Sequence, residues 1–391
     1  KKQKDMDFTQ EQISELLTTI ANKKDGYRIL LQQSLEAIMR AERSQFNEVN
    51  TDYGNGYRFS KVCVHNGKME LMIPRSRNHN FYPLILALIK DQNKESEALA
   101  FELYKSGLTT EQVGKLFGKL YDHHYSKSAI SQMMQSARQD VFAWLDRKGL
   151  DTIYPVIYID ATFWPTRREN EVSNEAYYTI LGVKQDTTRE VLSIVNHPTE
   201  GASNWEDALN QLKQRGVEKI ELVVVDGLNG IEDVINRVYP EAKIQLCTVH
   251  LARNIVSKVK PVDKPQVVSD LKTILDPEQT EDSLTKGIIR FNDFVKKWQS
   301  KYPSFKQYLK PRYSLYFTYL NYEKEIRRMI YTTNWIERLN RNYKRTLRMR
   351  SSMPSPESVL FLLGSVSMDR LEYRYPIYQF KLTTKLSFLS T

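Results

Sequence analysis

The chain alternates between strand-like and helical spacing of its apolar residues, most clearly over residues 219–254. Residues 220–225 form a short β-branched run that is apolar on both faces, which predicts a strand buried within an α/β sheet. The run ends on Asp226, and a charged side chain at the tip of a buried strand requires a paired charge or a metal. Helical spacing follows at Ile231, Val234, Ile235 and Val238.

Further strands are predicted on either side of this unit. Residues 243–251 indicate a strand that ends in Cys247 and His250, and residues 156–160 indicate a buried strand that carries Asp160. Two more strands, joined by a short turn, are predicted over residues 176–184 and 190–195, and the short connection favours antiparallel pairing. With a helix near residues 205–215, the predicted order is β-β-β-α-β-α-β.

Asp160 and Asp226 fall on the first and fourth of these strands. If the two strands are neighbours in a sheet of mixed direction, the carboxylates meet, and two like charges at that distance need a cation between them. Hard oxygen ligands favour Mg²⁺ or Mn²⁺. For either aspartate alone, a strand-end cap or an ordinary salt bridge is the alternative.

The first fifty residues predict two helices, one over residues 9–20 and one that carries Leu31, Leu35, Ile38 and Met39. They are either packing helices or a dimer arm. Residues 61–65 and 69–73 then flank Asn66-Gly67, a strong signal for a β-hairpin. The hairpin is basic, and either a ribbon lying on DNA or an ordinary solvated hairpin fits the pattern.

Residues 94–148 predict three helices, with a capping box at Thr109 and Gln112 and an N-cap at Ser126. A short helix, a turn and a helix with small polar residues at its start are typical of a helix-turn-helix. Any three-helix bundle has a similar periodicity. The positions expected to be buried are Val113, Leu116, Phe117, Leu120, Ile130, Met133, Met134 and Ala137. The residues predicted to contact DNA here are Lys127, Ser128, Ser131 and Gln132.

Residues 261–325 lack strand-like alternation and predict a helical, aromatic insertion. A strongly basic helix follows, in which Glu337 precedes a stretch, residues 338–350, that has basic but no acidic residues. Glu337 is either a solvated, salt-bridging residue or a third metal ligand held against a phosphate-binding face. The residues of this helix predicted to contact DNA are Asn334, Trp335, Arg338, Arg341, Lys344, Arg345 and Arg348.

The 391 residues carry a formal net charge of +10, which favours a polyanionic partner, either nucleic acid or an acidic membrane surface. An ordinary basic protein is the alternative.

The length predicts two or three domains. We see neither an apolar run long enough for a transmembrane helix nor a secretory signal. Two distant cysteines, Cys63 and Cys247, favour a reducing cytosol over a disulfide framework.

Four motifs together resemble the Mutator-like superfamily of DDE transposases, in its bacterial insertion-sequence branch. They are Asp160 in Tyr-Ile-Asp, Asp226-Gly-Leu, Cys247-x-x-His250-Leu-x-Arg253-Asn254 and Thr332-Thr-Asn-x-Ile-Glu337-x-Leu-Asn340-Arg. The resemblance covers about residues 54–368 and includes the spacings between the motifs. It implies an α/β, RNase H-like catalytic core, interrupted by an all-helical insertion before the third acid and preceded by a helix-turn-helix region.

The resemblance also implies that Asp160, Asp226 and Glu337 are the catalytic, metal-binding triad. They would hold two Mg²⁺ or Mn²⁺ ions for DNA strand cleavage and strand transfer at terminal inverted repeats. The expected partners are double-stranded transposon-end and target DNA and a second copy of the chain, with no membrane or small-molecule substrate. The expected location is the bacterial cytoplasm, at the nucleoid. A non-catalytic DNA-binding regulator and an RNase H-like nuclease without strand transfer are the rival functions.

Cys247, His250 and Arg253 are expected to support the active site. A Cys-x-x-His pair also suggests zinc, but a structural zinc site needs four ligands. His197 is the one further histidine expected near the sheet, so we predict no structural zinc.

The predicted division assigns residues 1–50 to N-terminal helices and 51–93 to the basic hairpin region. Residues 94–149 form the helix-turn-helix domain, and 150–258 with 326–370 form the catalytic core. Residues 259–325 form the insertion, and 371–391 a C-terminal tail.

Overall fold

The structure is a computed structural model, and it describes residues 14, 18, 26–64, 67–78, 81–121, 124–186, 188–198, 201–227, 230–279 and 283–368. The chain divides into two compact units. The first comprises Lys1–Tyr104 and Leu108–Gln135, and the second comprises Lys105–Gly107 and Ser136–Thr391. The division after Gln135 falls inside the segment that the sequence assigns to the helix-turn-helix. The finer domain boundaries stay a prediction, and the helix expected over residues 9–20 lies almost entirely outside the described residues.

The first unit begins with a helix packed on a β-hairpin. Its elements are α1 (Gly26–Asn50), β1 (Gly54–Val64), β2 (Gly67–Ser76) and α2 (Leu84–Lys105). The strands pair antiparallel, as predicted, although both are longer than expected and Gly67 begins β2 rather than lying in the turn. Leu35 and Met39 of α1 are buried with Leu71 and Ile73 of β2. The Glu36 carboxylate accepts a hydrogen bond from the Met72 amide at 3.0 Å, so a buried charge reinforces the apolar contact.

Helices α3 (Thr110–Tyr121) and α4 (Lys127–Met133) complete this unit. The predicted caps are confirmed. Thr109 and Gln112 bond each other's backbone amides at 2.8 and 3.2 Å, and Ser126 accepts from the Ala129 amide at 3.1 Å. The two helices approach closely, because a Cβ at Gly114 would lie 2.5 Å from the Tyr125 carbonyl oxygen.

Two details of this region were predicted wrongly. The third helix is not continuous: it breaks at Met134, and α5 (Gln135–Leu145) follows. The apolar faces of the two halves belong to different units, since Val141 and Leu145 of α5 pack around Gly364 in the second unit. Leu120, expected to be buried, is 58% exposed.

The second unit is built on a five-stranded mixed sheet in the order β5-β4-β3-β6-β7. The strands are β3 (Ile153–Arg168), β4 (Glu171–Val183), β5 (Arg189–His197), β6 (Lys219–Val225) and β7 (Lys243–Leu246). β3, β4 and β5 are antiparallel neighbours, whereas β3, β6 and β7 run parallel. The predicted element order is confirmed, and the first and fourth strands are neighbours, which is the condition for the two aspartates to meet.

Helices cover this sheet and connect its parallel strands. α6 (Ala202–Gln214) leads into β6, and α7 (Ile231–Val238) leads into β7. The four apolar residues of α7 that the periodicity indicated are all buried. α12 (Asn334–Leu347) and α13 (Pro356–Met368) follow the insertion, and α13 is buried along most of its length. No helix in the described ranges is both long enough and apolar enough to cross a bilayer.

The strand predicted over residues 243–251 is wrong in its second half. The ladder ends where the Cys247 amide donates to the Val225 carbonyl at 2.9 Å. The next amide, that of Thr248, donates to the Tyr331 carbonyl at 3.1 Å instead of to β6, and α8 (Thr248–Ser257) begins there. Leu251 and Ile255, four residues apart, are both buried, which is a helical rather than a strand pattern. His250 therefore lies on the first turn of a helix.

The described residues of the predicted insertion form helices and turns. It contains α9 (Lys264–Ile274), α10 (Leu284–Trp298) and three 3₁₀ segments (Pro261–Asp263, Pro303–Leu309 and Pro311–Asn321), and α11 (Lys324–Ile330) begins at its end and continues past it. Its core is aromatic, with Phe291, Phe305 and Phe317 buried. Buried Gln245 of β7 attaches it to the sheet. The Gln245 amide group donates to the Tyr316 carbonyl at 3.1 Å and accepts from the Tyr319 amide at 2.7 Å.

Replacing Gln245 with leucine keeps the volume but removes the side-chain partner of a buried carbonyl and of a buried amide. We expect Gln245→Leu to lower the free energy of unfolding by about 2 to 4 kcal/mol. Urea denaturation followed by circular dichroism measures this. Gln266→Leu is the control, because Gln266 makes its bond to Asp270 at an exposed site. Equal stability of the two variants would contradict the anchoring role of Gln245.

Candidate active site

Asp160 and Asp226 lie side by side on neighbouring parallel strands. Ile159 of β3 pairs with Val225 of β6, so each aspartate directly follows a paired residue. Asp226 lies just beyond the end of β6, as predicted. Asp160 does not end its strand, because β3 continues to Arg168 and pairs there with β4 and, at Thr166, with Met353. The carboxylates meet because β6 ends there while β3 continues.

The Asp160 carboxylate is held on both oxygens. Oδ1 accepts the Ala161 amide at 2.9 Å, and Oδ2 accepts the Asn340 side-chain amide at 2.7 Å. Burial raises the pKa of Asp160 to about 6, and the charge of Asp226 acts in the same direction. The Asp226 Oδ1 atom accepts the Gly227 amide at 2.6 Å. The site thus concentrates negative charge in a poorly solvated place.

Helix α12 brings Glu337 to the same place. Glu337 and Asn340 are three residues apart and therefore share one face of the helix. Because Asn340 contacts Asp160, that face is turned toward the aspartates. The Glu337 Oε1 atom accepts the Thr333 hydroxyl at 3.2 Å. Asn334 is the first residue of α12, and Thr333 is its N-cap.

His250 lies between the second and third acids. Its Nδ1 atom is 3.3 Å from Asp226 Oδ1 and its Nε2 atom is 3.6 Å from Glu337 Oε1. The Nδ1 contact lacks hydrogen-bond geometry, so we treat it as electrostatic. The Cys247 sulfur contributes most to raising the pKa of His250 to about 9, burial opposes the shift, and both carboxylates add to it. A protonated imidazole in this position offsets the repulsion between the acids.

Cys247 and Arg253 flank the histidine. Burial alone would raise the pKa of the Cys247 thiol, but interactions with His250 and Thr333 outweigh it and the pKa falls. The Cys247 sulfur accepts from the Thr333 backbone amide at 3.5 Å. Arg253 is largely exposed, with Nη1 3.5 Å from His250 Nε2 and 4.0 Å from Glu337 Oε1. Thus all three predicted support residues lie beside the acids; Cys247 is the N-cap of α8, and His250 and Arg253 lie on that helix rather than on a strand.

Sequence reasoning missed Asn340 and Thr333 as site residues. Both stand in the motif around Glu337, and their spacings from it, three and four residues along a helix, carried the available signal.

The outward side of α12 is basic. Asn334, Arg338, Arg341, Lys344, Arg345 and Arg348 are all exposed, whereas Ile336, Leu339, Tyr343 and Leu347 are buried. Trp335 is half-buried, and the Arg189 guanidinium lies 3.2 Å from its ring centroid. Arg350 does not belong to this surface: it is buried, and it donates to the Thr346 carbonyl at 3.1 Å.

The predicted DNA contacts of the first unit also lie at the surface. Lys127, Ser128, Ser131 and Gln132 of α4 are exposed. Lys127 Nζ is 2.8 Å from a carboxylate oxygen of Glu111, and the Ser128 hydroxyl is 3.0 Å from that of Ser126. These residues are thus accessible to a ligand of this unit.

A family model described as "Transposase, Mutator family" matches residues 1–375. The chain is 31% identical to the transposase for insertion sequence element IS905 of Lactococcus lactis over 358 residues, 88% of this chain and 90% of that protein. It is 32% identical to the transposase for ISRM3 of Rhizobium meliloti over 356 residues, 89% and 88% of the two chains. The transposase for IS256 in transposon Tn4001 of Staphylococcus aureus is 25% identical over 368 residues, 90% and 88%.

Among solved structures, the Drosophila P element transposase strand transfer complex matches with a TM-score of 0.31 and 13% identity, over 74% of this chain and 81% of that chain. An overlap at that level does not establish a shared fold.

One ligand atom each of Cys247, His250 and Glu337 lies within 4.8 Å of the others. The third member of the group is a carboxylate and not His197, which lies at the end of β5 and packs its ring against Tyr178 of β4. A structural zinc site needs four protein ligands. We therefore expect purified protein to contain substoichiometric zinc, as measured by inductively coupled plasma mass spectrometry. Stoichiometric zinc that is lost in Cys247→Ser but kept in Cys63→Ser would contradict this expectation.

Proposed function

The chain belongs to the Mutator family of transposases, and from that premise we propose that it cuts and joins DNA at the terminal inverted repeats of an insertion sequence. The proposed catalytic residues are Asp160, Asp226 and Glu337. The observation that supports this assignment most is their convergence: two paired strands present the aspartates, and α12 presents Glu337 one helical turn before the residue that contacts Asp160.

An RNase H-like core is part of the proposal. The strand order β5-β4-β3-β6-β7, with three antiparallel strands followed by two parallel ones, agrees with the core that the resemblance implies. The helical insertion between the second and third acids agrees with it as well. For α3 and α4, the close approach at Gly114 and the exposed start of α4 support a helix-turn-helix that binds DNA.

The donors at the site fit a hard divalent cation. Three carboxylates supply oxygen ligands, and burial, with the charge of Asp226 acting in the same direction, raises the pKa of Asp160, so a bound cation would stabilise its charged form. We propose that Asp160, Asp226 and Glu337 hold two Mg²⁺ or Mn²⁺ ions. Such ions, when bound, activate an attacking oxygen and stabilise a leaving oxygen in phosphoryl transfer.

The neighbouring side chains keep the acids in place. Asn340 fixes one oxygen of Asp160, and Thr333 fixes one oxygen of Glu337. His250 lies between Asp226 and Glu337, where its charge limits their repulsion, and Arg253 lies on the exposed side of the same pair. We assign these residues to support of the acids rather than to bond making.

DNA binding is assigned to two surfaces. The exposed basic residues of α12 lie on the helix that carries Glu337, which places phosphate-binding groups next to the proposed catalytic centre. The exposed polar residues of α4 would read base edges in the first unit. Phosphate contacts would hold any DNA, and base contacts would select the transposon ends.

Removing any one acid tests the catalytic assignment. We expect Asp160→Asn, Asp226→Asn and Glu337→Gln each to lower cleavage of end DNA in Mg²⁺ by about a thousandfold or more, because a charged ligand is lost at nearly constant shape. End binding, measured by fluorescence anisotropy, should stay close to wild type.

Asp293→Asn on α10 is the control, since Asp293 is exposed and pairs with Lys296. Wild-type cleavage by any one triad variant would refute the triad. Cleavage by the wild type without a joined product, given target DNA, would favour a nuclease instead.

The α12 surface has its own test. We expect Arg341→Ala and Arg348→Ala each to reduce the steepness of the plot of log K for DNA association against log salt concentration by about 1. The reduction should be the same for end DNA and for random DNA. Gln132→Ala should instead reduce the preference for end DNA and leave the slope unchanged. Arg237→Ala on α7, where the arginine pairs with Glu206, is the control. Unchanged slopes in both α12 variants would show that this face does not bind DNA.

A further inference from the structure

Arg312 of the helical insertion reaches the backbone beside Asp226. It lies in the 3₁₀ segment Pro311–Asn321, and its Nη2 atom donates to the Gly227 carbonyl at 2.9 Å. Its Nε atom donates to Glu232 in the first turn of α7. The Arg312 side chain is 33% exposed and that of Glu232 is 15% exposed, so this ion pair is largely shielded from water.

The contact acts on the residue that follows Asp226. The Gly227 amide donates to Asp226 Oδ1 at 2.6 Å, while the Gly227 carbonyl accepts from Arg312. Both polar groups of this glycine are therefore engaged, one by the aspartate and one by the insertion. A Cβ at Gly227 would lie 2.7 Å from the Tyr316 hydroxyl oxygen, so the insertion also packs directly on the glycine.

The segment that carries Arg312 is itself fixed to the sheet. Gln245 of β7 binds the Tyr316 carbonyl and the Tyr319 amide. Tyr316 is 5% exposed. A continuous set of contacts therefore runs from β7 through the insertion to Gly227, and from Gly227 to the Asp226 carboxylate.

We propose that Arg312 is a positioning residue that sets the orientation of the Asp226 carboxylate for metal binding. The inference rests on the proposed function, in which Asp226 is a metal ligand. On this account the insertion is part of the catalytic centre, because it holds one of the acids through the peptide groups on either side of Gly227. Metal-site residues that orient a ligand in this way typically change metal affinity or activity by about 10- to 100-fold when replaced.

A positioning role and a purely electrostatic role predict opposite results. If Arg312 acted only as a positive charge near the acids, its removal would strengthen cation binding. If it holds Asp226 in place, its removal weakens cation binding, although the number of carboxylates at the site is unchanged. The sign of the change in affinity therefore distinguishes the two.

The experiment measures Mn²⁺ binding to the full-length protein by electron paramagnetic resonance of the free ion. We expect Arg312→Ala to raise the Kd for Mn²⁺ by about tenfold. The Mg²⁺ concentration needed for half-maximal cleavage of end DNA should rise in parallel, with most of the rate recovered at saturating metal. Arg312→Lys should fall between the wild type and Arg312→Ala, since an ammonium group can still reach the Gly227 carbonyl.

Arg237→Ala is the matched control, because it breaks an Arg–Glu pair at the other end of α7 and lies away from the acids. Thermal denaturation identifies any variant that fails to fold. Should Arg312→Ala fail to fold, Glu232→Gln takes its place, since it removes the charge that orients Arg312 and is expected to raise the Kd for Mn²⁺ by a smaller factor.

An unchanged or lower Kd for Mn²⁺ in the folded Arg312 variants would overturn the positioning role. Loss of DNA binding with normal Mn²⁺ binding would overturn it as well and would make Arg312 a DNA contact. The proposed function fails separately: in that case Asp226→Asn would leave Mn²⁺ binding at the wild-type level.

Discussion

The parallel pairing of β3 with β6 is the constraint on which the proposed active site depends. It brings Asp160 and Asp226 together beside a buried sheet, where like charges repel and are poorly solvated. The surrounding contacts offset that cost: Asn340 donates to Asp160, and His250 lies between Asp226 and Glu337. Burial is the main cause of the raised pKa of Asp160, whereas the Cys247 sulfur is the main cause of the raised pKa of His250, and the neighbouring carboxylates add to both shifts.

Helix α12 combines three roles in one stretch of residues. Its buried face packs on the core through Ile336 and Tyr343, one edge carries Glu337 and Asn340, and its outer face is basic. Each residue advances about 100° around the helix, so the packing of the buried face also sets the direction of the acid and of the basic side chains. A shift of one residue along the helix would therefore change the direction of the buried, the acid-bearing and the basic faces together.

The helical insertion is attached at the point where the chemistry is proposed to occur. Gln245 binds it to β7, and through Arg312 and Tyr316 it reaches the glycine that follows Asp226. These contacts stabilise the segment between the second and third acids without lengthening the sheet. Gly227 connects the insertion to the acid, because it bonds both Asp226 and Arg312.

Local pattern alone determined the elements whose signals lie within a few residues: the hairpin, the caps at Thr109 and Ser126, the buried strands and the insertion. Matched motifs also singled out the three acids. Tertiary structure decided the rest. The first turn of α8, which carries His250, is bonded through Thr248 to Tyr331, 83 residues away, and Asn340 meets Asp160 across 180 residues. The helix breaks at Met134, next to the division between the two units. Periodicity reports which face of an element is buried, but not which distant element buries it, and these contacts depend on the latter.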